Sequence, residues 1–337
     1  MKALVYVAPR KLELRDWPEP DLGPREALVR VGAAGVCGTD LHTWQGHSQR
    51  HIPPLVLGHE MAGVIEQVRG EVGDLKAGDR VAAYPHQGCG QCRHCAAGED
   101  ALCRRKKALG FQFGGGFAEY FKAPAKNLYR LSADTNFLEG ALVEPLGCAL
   151  HMVGRCGPGR GPIAIVGAGA IGLMILAVAR QLNFPKAAVV EINARRREVA
   201  QRQGADLVVD PKDPESFEQL EHFFGEDGCI AVFEAAGVTP ARQLSLRLVR
   251  TGGLVVAAGI GDPESPMDFD KLVRREIRIE GVFACGPSEF RTASEWVAEG
   301  RLHLKDWLSE APLAEGQAVF EDLTRPNSSM IKAVLKP

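Results

Sequence analysis

Long hydrophobic runs are missing from this chain: none reaches the ~18 residues that a membrane-spanning helix needs. A surplus of either charge is missing too. Forty Lys and Arg residues stand against 42 Asp and Glu, a formal net charge of −2. Without a global basic field there is little to gather nucleic acid or anionic lipid. The opening MKALVYVAPRKLELRD meets a proline and charges too early for a secretory signal, and no repeats or low-complexity segments occur. The one N-x-S/T sequon, at Asn327, carries little weight without such a signal. What remains is ordinary globular composition: 337 residues, 45% hydrophobic and 24% charged. That length suits two domains better than one small core. A cytoplasmic enzyme is the expectation.

The first 150 residues read as short β segments cut by Gly and Pro: KALVYV, EALVRVGAAG, MAGVIEQV, DRVAAY and FAEYFKAP. Such a series predicts a barrel-like or sandwich-like β domain. From Gly161 the rhythm changes. Six apolar segments (PIAIV, AAVVEI, LVVD, CIAVFEAAG, LVVAAGI and IRIEGVFA) follow, most of them separated by helical patterns such as AIGLMILAVARQL and ARQLSLRLVRTGG. Continuous apolar strands alternating with helices predict an α/β unit with a doubly wound parallel sheet. After Cys285 the pattern predicts one helix, SEFRTASEWVAEG, and a tail ending MIKAVLKP, too little for a core of its own.

GAGAIG places Gly167, Gly169 and Gly172 in a G-x-G-x-x-G turn between a strand and a helix. The first glycine permits the tight turn, the second admits a pyrophosphate to the backbone, and the third lets helix and strand approach. The helix N-terminus, with Ala170 and Ile171, offers N–H groups to phosphate. Glu191 ends the next strand, nineteen residues after Gly172. A carboxylate there holds the adenosine ribose hydroxyls and repels a 2′-phosphate, which favours NAD. The following Arg195, Arg196 and Arg197 leave NADP open, Arg196 being the candidate cofactor contact. Gly259, within the fifth segment LVVAAGI, completes the expected set.

Nine cysteines are unevenly spread, and four of them, Cys89, Cys92, Cys95 and Cys103, have C-x2-C-x2-C-x7-C spacing. Four thiolates within fifteen residues can close a tetrahedral shell around a structural zinc. An iron–sulfur cluster takes the same donors. His86 and His94 read as solvent-exposed residues rather than ligands, and the run Arg104 to Lys107 as a solvated face. Cys148, Cys156, Cys229 and Cys285 lie in or beside apolar stretches and read as inert.

GVCGTDLH, GHE, the four-cysteine loop, EPLG and GAGAIG occur in that order. Together they identify the chain as similar to the zinc-dependent medium-chain alcohol dehydrogenases over essentially its full length, most of all the polyol (sorbitol-type) and threonine dehydrogenase branches. The resemblance implies a GroES-like catalytic domain at residues 1–150 and 286–337 and an NAD-binding Rossmann domain at 151–285. It implies two zinc ions per chain and a homo-oligomer, dimer or tetramer. A catalytic zinc takes three protein ligands and leaves one position for water or substrate. Cys37 and His59 supply two donors and Glu60 or Glu144 a carboxylate; the resemblance puts Glu144 where simpler alcohol dehydrogenases have a second cysteine. Cys148 ranks below it. Thr39 can accept the substrate's hydroxyl proton and His42 pass it to solvent, in the family by way of the nicotinamide ribose. Asp40 matches the residue that orients the zinc-binding histidine.

The implied reaction is a reversible oxidation of a secondary alcohol to a ketone in a polyol, sugar or amino alcohol. L-Threonine 3-dehydrogenase and a general secondary-alcohol dehydrogenase are the nearest alternatives; the compact His42–His59 segment lacks the longer insert expected of both named branches. A metal- and dinucleotide-binding protein without catalysis is the alternative from another class. Partners other than the small-molecule substrate, whether nucleic acid or membrane, are not expected.

Overall fold

The computed structural model describes residues 1–48, 51–157, 161–302, 307–325 and 328–337, so the Asn327 sequon lies outside the described residues. The chain divides into two units, Met1–Gly147 with Cys285–Pro337, and Cys148–Ala284. Among the described residues no helix is long and apolar enough to cross a membrane.

The first unit is built on one long antiparallel ladder. The β-branched Val29 and Val31 suit extended backbone, and their strand, Glu26–Gly35, pairs with Glu60–Arg69 from Glu26↔Arg69 to Gly35↔Glu60. Among the described residues seven strands make up the sheet. On the other side of Glu26–Gly35 runs Lys332–Lys336, with Val334 opposite Gly35. Gly35 therefore has Glu60 on one side and Val334 on the other, although these residues lie far apart in the chain. Leu4, Leu57, Met61, Ile65, Phe117, Phe121 and Phe320 are at most 1% exposed. Each such burial stabilises by about 1.5–3 kcal/mol.

The segment after Cys285 holds more than the single expected helix. Pro287–Ala298 is followed by a strand, Leu308–Pro312, a second helix, Gly316–Leu323, and the strand Lys332–Lys336. The second helix has only eight residues, too few for a clear periodic signal. Tertiary packing holds it: the Phe320 ring lies 6.1 Å from Trp44 and 5.9 Å from Phe117.

In the second unit six strands form a parallel sheet in the order Leu207–Val209, Ala187–Val190, Ile163–Val166, Cys229–Glu234, Val249–Ala257, Arg278–Gly281. Ile163–Val166 and Ala187–Val190 are buried throughout, as strands covered on both faces must be. The order of connection reverses between Ile163–Val166 and Cys229–Glu234, and the glycine turn leaves the sheet at that switch point. One expected boundary moves: the helix Thr239–Leu248 stops before VRTGG, which opens the strand Val249–Ala257. Val249 takes an extended backbone, at φ −69° and ψ 138°, in line with its β-branched side chain.

Candidate metal centres and cofactor loop

Where the ladder of the first unit ends, at Gly35 and Glu60, both chains turn, and their next side chains meet. Ligand atoms of Cys37, His59 and Glu60 all lie within 4.8 Å of one another. His59 is 5% exposed and Glu60 1%. Cys37 caps the short helix Gly38–Trp44, and the Asp40 carboxylate accepts its backbone N–H at 3.0 Å. Another Asp40 oxygen lies 3.5 Å from His59 Nδ1. Burial works against ionisation of both partners, yet their mutual attraction outweighs it, lowering Asp40 and raising His59 well above the ordinary imidazole. Thr39 is half-buried with its Oγ1 3.7 Å from Cys37 Sγ, and His42, also half-buried, lies three residues further along the same helix.

Glu144 is 7% exposed in the first turn of the helix Val143–Gly154. It stands outside the set of donors within 4.8 Å, while its charge still acts on Lys332. A sulfur, a nitrogen and an oxygen donor on a buried wall suit zinc and leave a further position open.

Two residues near this cluster escaped the sequence reading. Lys332 is 3% exposed; its Nζ donates to the Val36 carbonyl at 3.0 Å and ion-pairs with Glu60. Burial alone would lower its pKa, but Glu60, Cys37 and Glu144 hold it above the usual value. The only trace in the sequence is a cation inside an otherwise apolar strand, MIKAVL. His51 is buried with Nδ1 2.9 Å from Thr43 Oγ1, its ring 4.5 Å from Phe111, and Phe111 in turn is 5.2 Å from His59.

The second cluster is local. Sγ atoms of Cys89, Cys92, Cys95 and Cys103 lie within 4.8 Å of one another, with no disulfide among them. The Gln91 backbone N–H, ahead of neighbouring thiols and Arg105, pulls Cys89 down to about 6, while burial and the thiols of Cys92 and Cys103 push Cys95 up to about 12. Four thiols in this small space resist joint ionisation, and a dication removes that resistance. Two expectations change here. His86 is not exposed: it is 5% accessible, and burial, with Lys106 nearby, holds it down to about 3, so it is neutral near pH 7. It and His94, which pairs with Glu99 at 2.8 Å, stay outside the cluster. Nor is Arg104 to Lys107 a uniformly solvated face. Arg105 Nη2 donates to Cys89 Sγ at 3.2 Å, and Lys106 to the Ala101 carbonyl.

In the second unit, Gly167 has φ +98°, and a Cβ on Gly172 would overlap the Gly167 carbonyl. Gly169 caps the helix Ala170–Gln181, with Ala170 and Ile171 half-buried in its first turn. Glu191 is buried at the lip of this loop; its carboxylate accepts from Ala168 N at 2.6 Å and Asn193 N at 2.8 Å. Arg197 pairs with Asp210 at 2.9 Å and Arg195 with Glu198 at 3.2 Å. Arg196 alone of the three has a buried Nε without a hydrogen-bond partner among the described residues. Gly259 packs against Gly237, where a Cβ would not fit. Cys148 and Cys229 are buried, and burial pushes Cys229 up to about 12 and Cys156 to about 11. Cys285, in the first unit, is 2% exposed.

Residues 23–133 match the family described as alcohol dehydrogenase GroES-like domain, and residues 170–299 match zinc-binding dehydrogenase. L-Threonine 3-dehydrogenase of Streptomyces avermitilis is 34% identical over 332 residues, covering 96% of this chain and 94% of that one. The chain belongs to the zinc-dependent medium-chain alcohol dehydrogenases, in their polyol and threonine branch. D-Xylulose reductase A of Aspergillus oryzae is 32% identical over 322 residues, 93% of this chain and 88% of the relative. Among solved structures, a zinc-binding dehydrogenase of Sinorhizobium meliloti 1021 bound to NADP superposes with a TM-score of 0.92 at 32% identity, covering 100% of this chain and 99% of that one. An alcohol dehydrogenase from Thermus sp. ATN1 gives 0.90 at 29% identity, covering 100% of this chain and 99% of that one. This medium-chain dehydrogenase is thus an oxidoreductase acting on alcohols.

Proposed function

We propose that this dehydrogenase oxidises a secondary alcohol of a polyol, sugar or amino alcohol to the ketone, reversibly, with NAD as hydride acceptor. The observation that carries the reading is the convergence of Cys37, His59 and Glu60 within 4.8 Å, with the Thr39 hydroxyl 3.7 Å from the Cys37 sulfur. Zinc, when bound, supplies the Lewis acid for the substrate oxygen, and NAD supplies the hydride acceptor. The chain's own groups do the rest. Cys37 and His59 hold the ion, with Glu60 or Glu144 as the carboxylate donor. Asp40 fixes the orientation of His59. Thr39 takes the substrate's hydroxyl proton, and His42 passes it to solvent.

Residues 1–150 and 286–337 then form the catalytic domain and 151–285 the cofactor domain. Cys89, Cys92, Cys95 and Cys103 hold a structural zinc that leaves no open position. On the cofactor side, Gly167, Gly169, Ala170, Ile171 and Gly172 approach the pyrophosphate, with Gly259 nearby, and Glu191 takes the ribose hydroxyls. Arg196, with its unspent Nε, favours NADP as a second reading. The enzyme works in the cytoplasm as a homo-oligomer, dimer or tetramer.

Absorbance of NADH during turnover of a panel of polyols, sugars, threonine and simple alcohols tests the proposal. Polyols or amino alcohols with an oxygen or nitrogen next to the reacting carbon should lead. Turnover confined to simple primary alcohols would overturn the substrate class. No turnover at all by fully zinc-loaded protein would leave a binding protein without catalysis.

A further inference from the structure

Lys332 takes no part in the donor set or the proton path described above, yet it lies against the donor set. It reaches the site through the fold. Val334 pairs with Gly35, and Gly35 pairs with Glu60, so Lys332 arrives from the C-terminal strand beside the carboxylate. Its ammonium is held at two points, the Glu60 carboxylate and the Val36 carbonyl, which accepts at 3.0 Å one residue before Cys37. Space has been left for this arrangement. A Cβ on Gly35 would overlap Glu60 Oε2, so only glycine at 35 admits the carboxylate in its present position.

Charge decides what the arrangement does. The proposed function sets three anionic side chains, Cys37, Glu60 and Glu144, around a dication, with His59 neutral. With the buried Asp40 carboxylate behind His59 counted as well, two negative charges are left in excess in a buried site, and the ammonium of Lys332 cancels one of them. The same ammonium and the metal also compete for one carboxylate. Electrostatic attraction at such separations is strong once water is excluded.

We propose that Lys332 is a positioning residue that draws the Glu60 carboxylate away from the metal and so keeps a coordination position open for substrate. The inference rests on the reading that Cys37 and His59 belong to the catalytic metal centre, with Glu144 as the standing carboxylate donor and Glu60 beside it. Without the ammonium, Glu60 is left as an uncompensated buried anion whose best partner is the ion itself. It closes on the metal, which is then held more tightly while substrate is held less well.

The test uses the full chain with zinc in the four-cysteine site and Co(II) in the other. In Lys332→Met, the visible cobalt bands should weaken and shift as a further ligand enters. Retention of metal against a chelator should tighten on the order of tenfold, the size typical of outer partners of metal ligands, and KM should rise. Lys332→Arg should restore most of the wild-type spectrum. Adding Lys332→Met to a Glu60→Gln background should leave spectrum and retention unchanged, since no carboxylate remains to compete. Lys332→Gln, which removes the charge and keeps an N–H donor on the side chain, serves if the methionine variant does not fold. Unchanged cobalt bands, or weaker metal retention, in the folded variant would overturn the proposal and leave Lys332 a structural ion-pair partner. Wild-type protein that binds no cobalt beside Cys37 would instead overturn the metal-centre reading on which it rests.

Discussion

Two donor clusters lie in the same unit and are built in opposite ways. Cys89, Cys92, Cys95 and Cys103 come from one loop, share a single chemistry, and include three sulfur ligands from residues only partly buried. Cys37, His59 and Glu60 come from the ends of two strands, mix three chemistries, and rest on a buried surround of Asp40 and Lys332. A local, saturated shell staples a loop. A shell assembled across a sheet, with mixed donors and outer partners, sets the charge at an open position. On the proposed function, the difference separates a metal that holds the fold from one that does chemistry.

The sharpest way to break that contrast is His59→Ala. Turnover should fall by about 10³-fold or more, and metal analysis should drop from about two zinc ions per chain to one. Two ions retained would remove His59 from the donor set, and loss of both would show that the clusters are not independent. Thr39→Val keeps the side-chain shape and removes the hydroxyl. It should depress kcat by about 10²–10⁴-fold, with zinc content and NAD binding at wild-type levels; loss of metal would reassign Thr39 to the ion. His42→Ala should cost about tenfold to a hundredfold, since water partly replaces a general base. The loss should be greatest at low pH, where releasing a proton is hardest, and added imidazole should restore part of the rate. Superimposable pH–rate profiles without rescue would remove His42 from the proton path.

On the cofactor side, Glu191→Ala should shift the kcat/KM ratio toward NADP by about tenfold, a little over 1 kcal/mol. A wild-type preference for NADP would mean that Arg196 outweighs the carboxylate. The smallest effect on turnover belongs to Cys89→Ser. Its folded fraction should work near the wild-type rate, while Tm falls by on the order of 10 °C through loss of the closed zinc shell. Abolished turnover in folded protein would place that cluster in the chemistry.

How legible each feature was follows from the distance over which it is specified. Alternating apolar strands and helices announce a parallel sheet because each element's burial is written in its own residues, and six such strands do form it. The eight-residue helix Gly316–Leu323 was not legible, because its stability comes from Phe320 packing on Trp44 and Phe117. His86 was misread as exposed, since its loop carries polar and glycine residues while its side chain turns inward.

The sequence by itself determined what is local. A G-x-G-x-x-G turn and four cysteines within fifteen residues carry their chemistry in backbone geometry and short spacing. Tertiary structure alone decided which distant groups share a field. A ladder with Glu60 on one side of Gly35 and Val334 on the other delivers the Lys332 ammonium to the Glu60 carboxylate across 272 positions of chain. No short pattern encodes that pairing. Charges act through space, and only strand register decides which of them become neighbours.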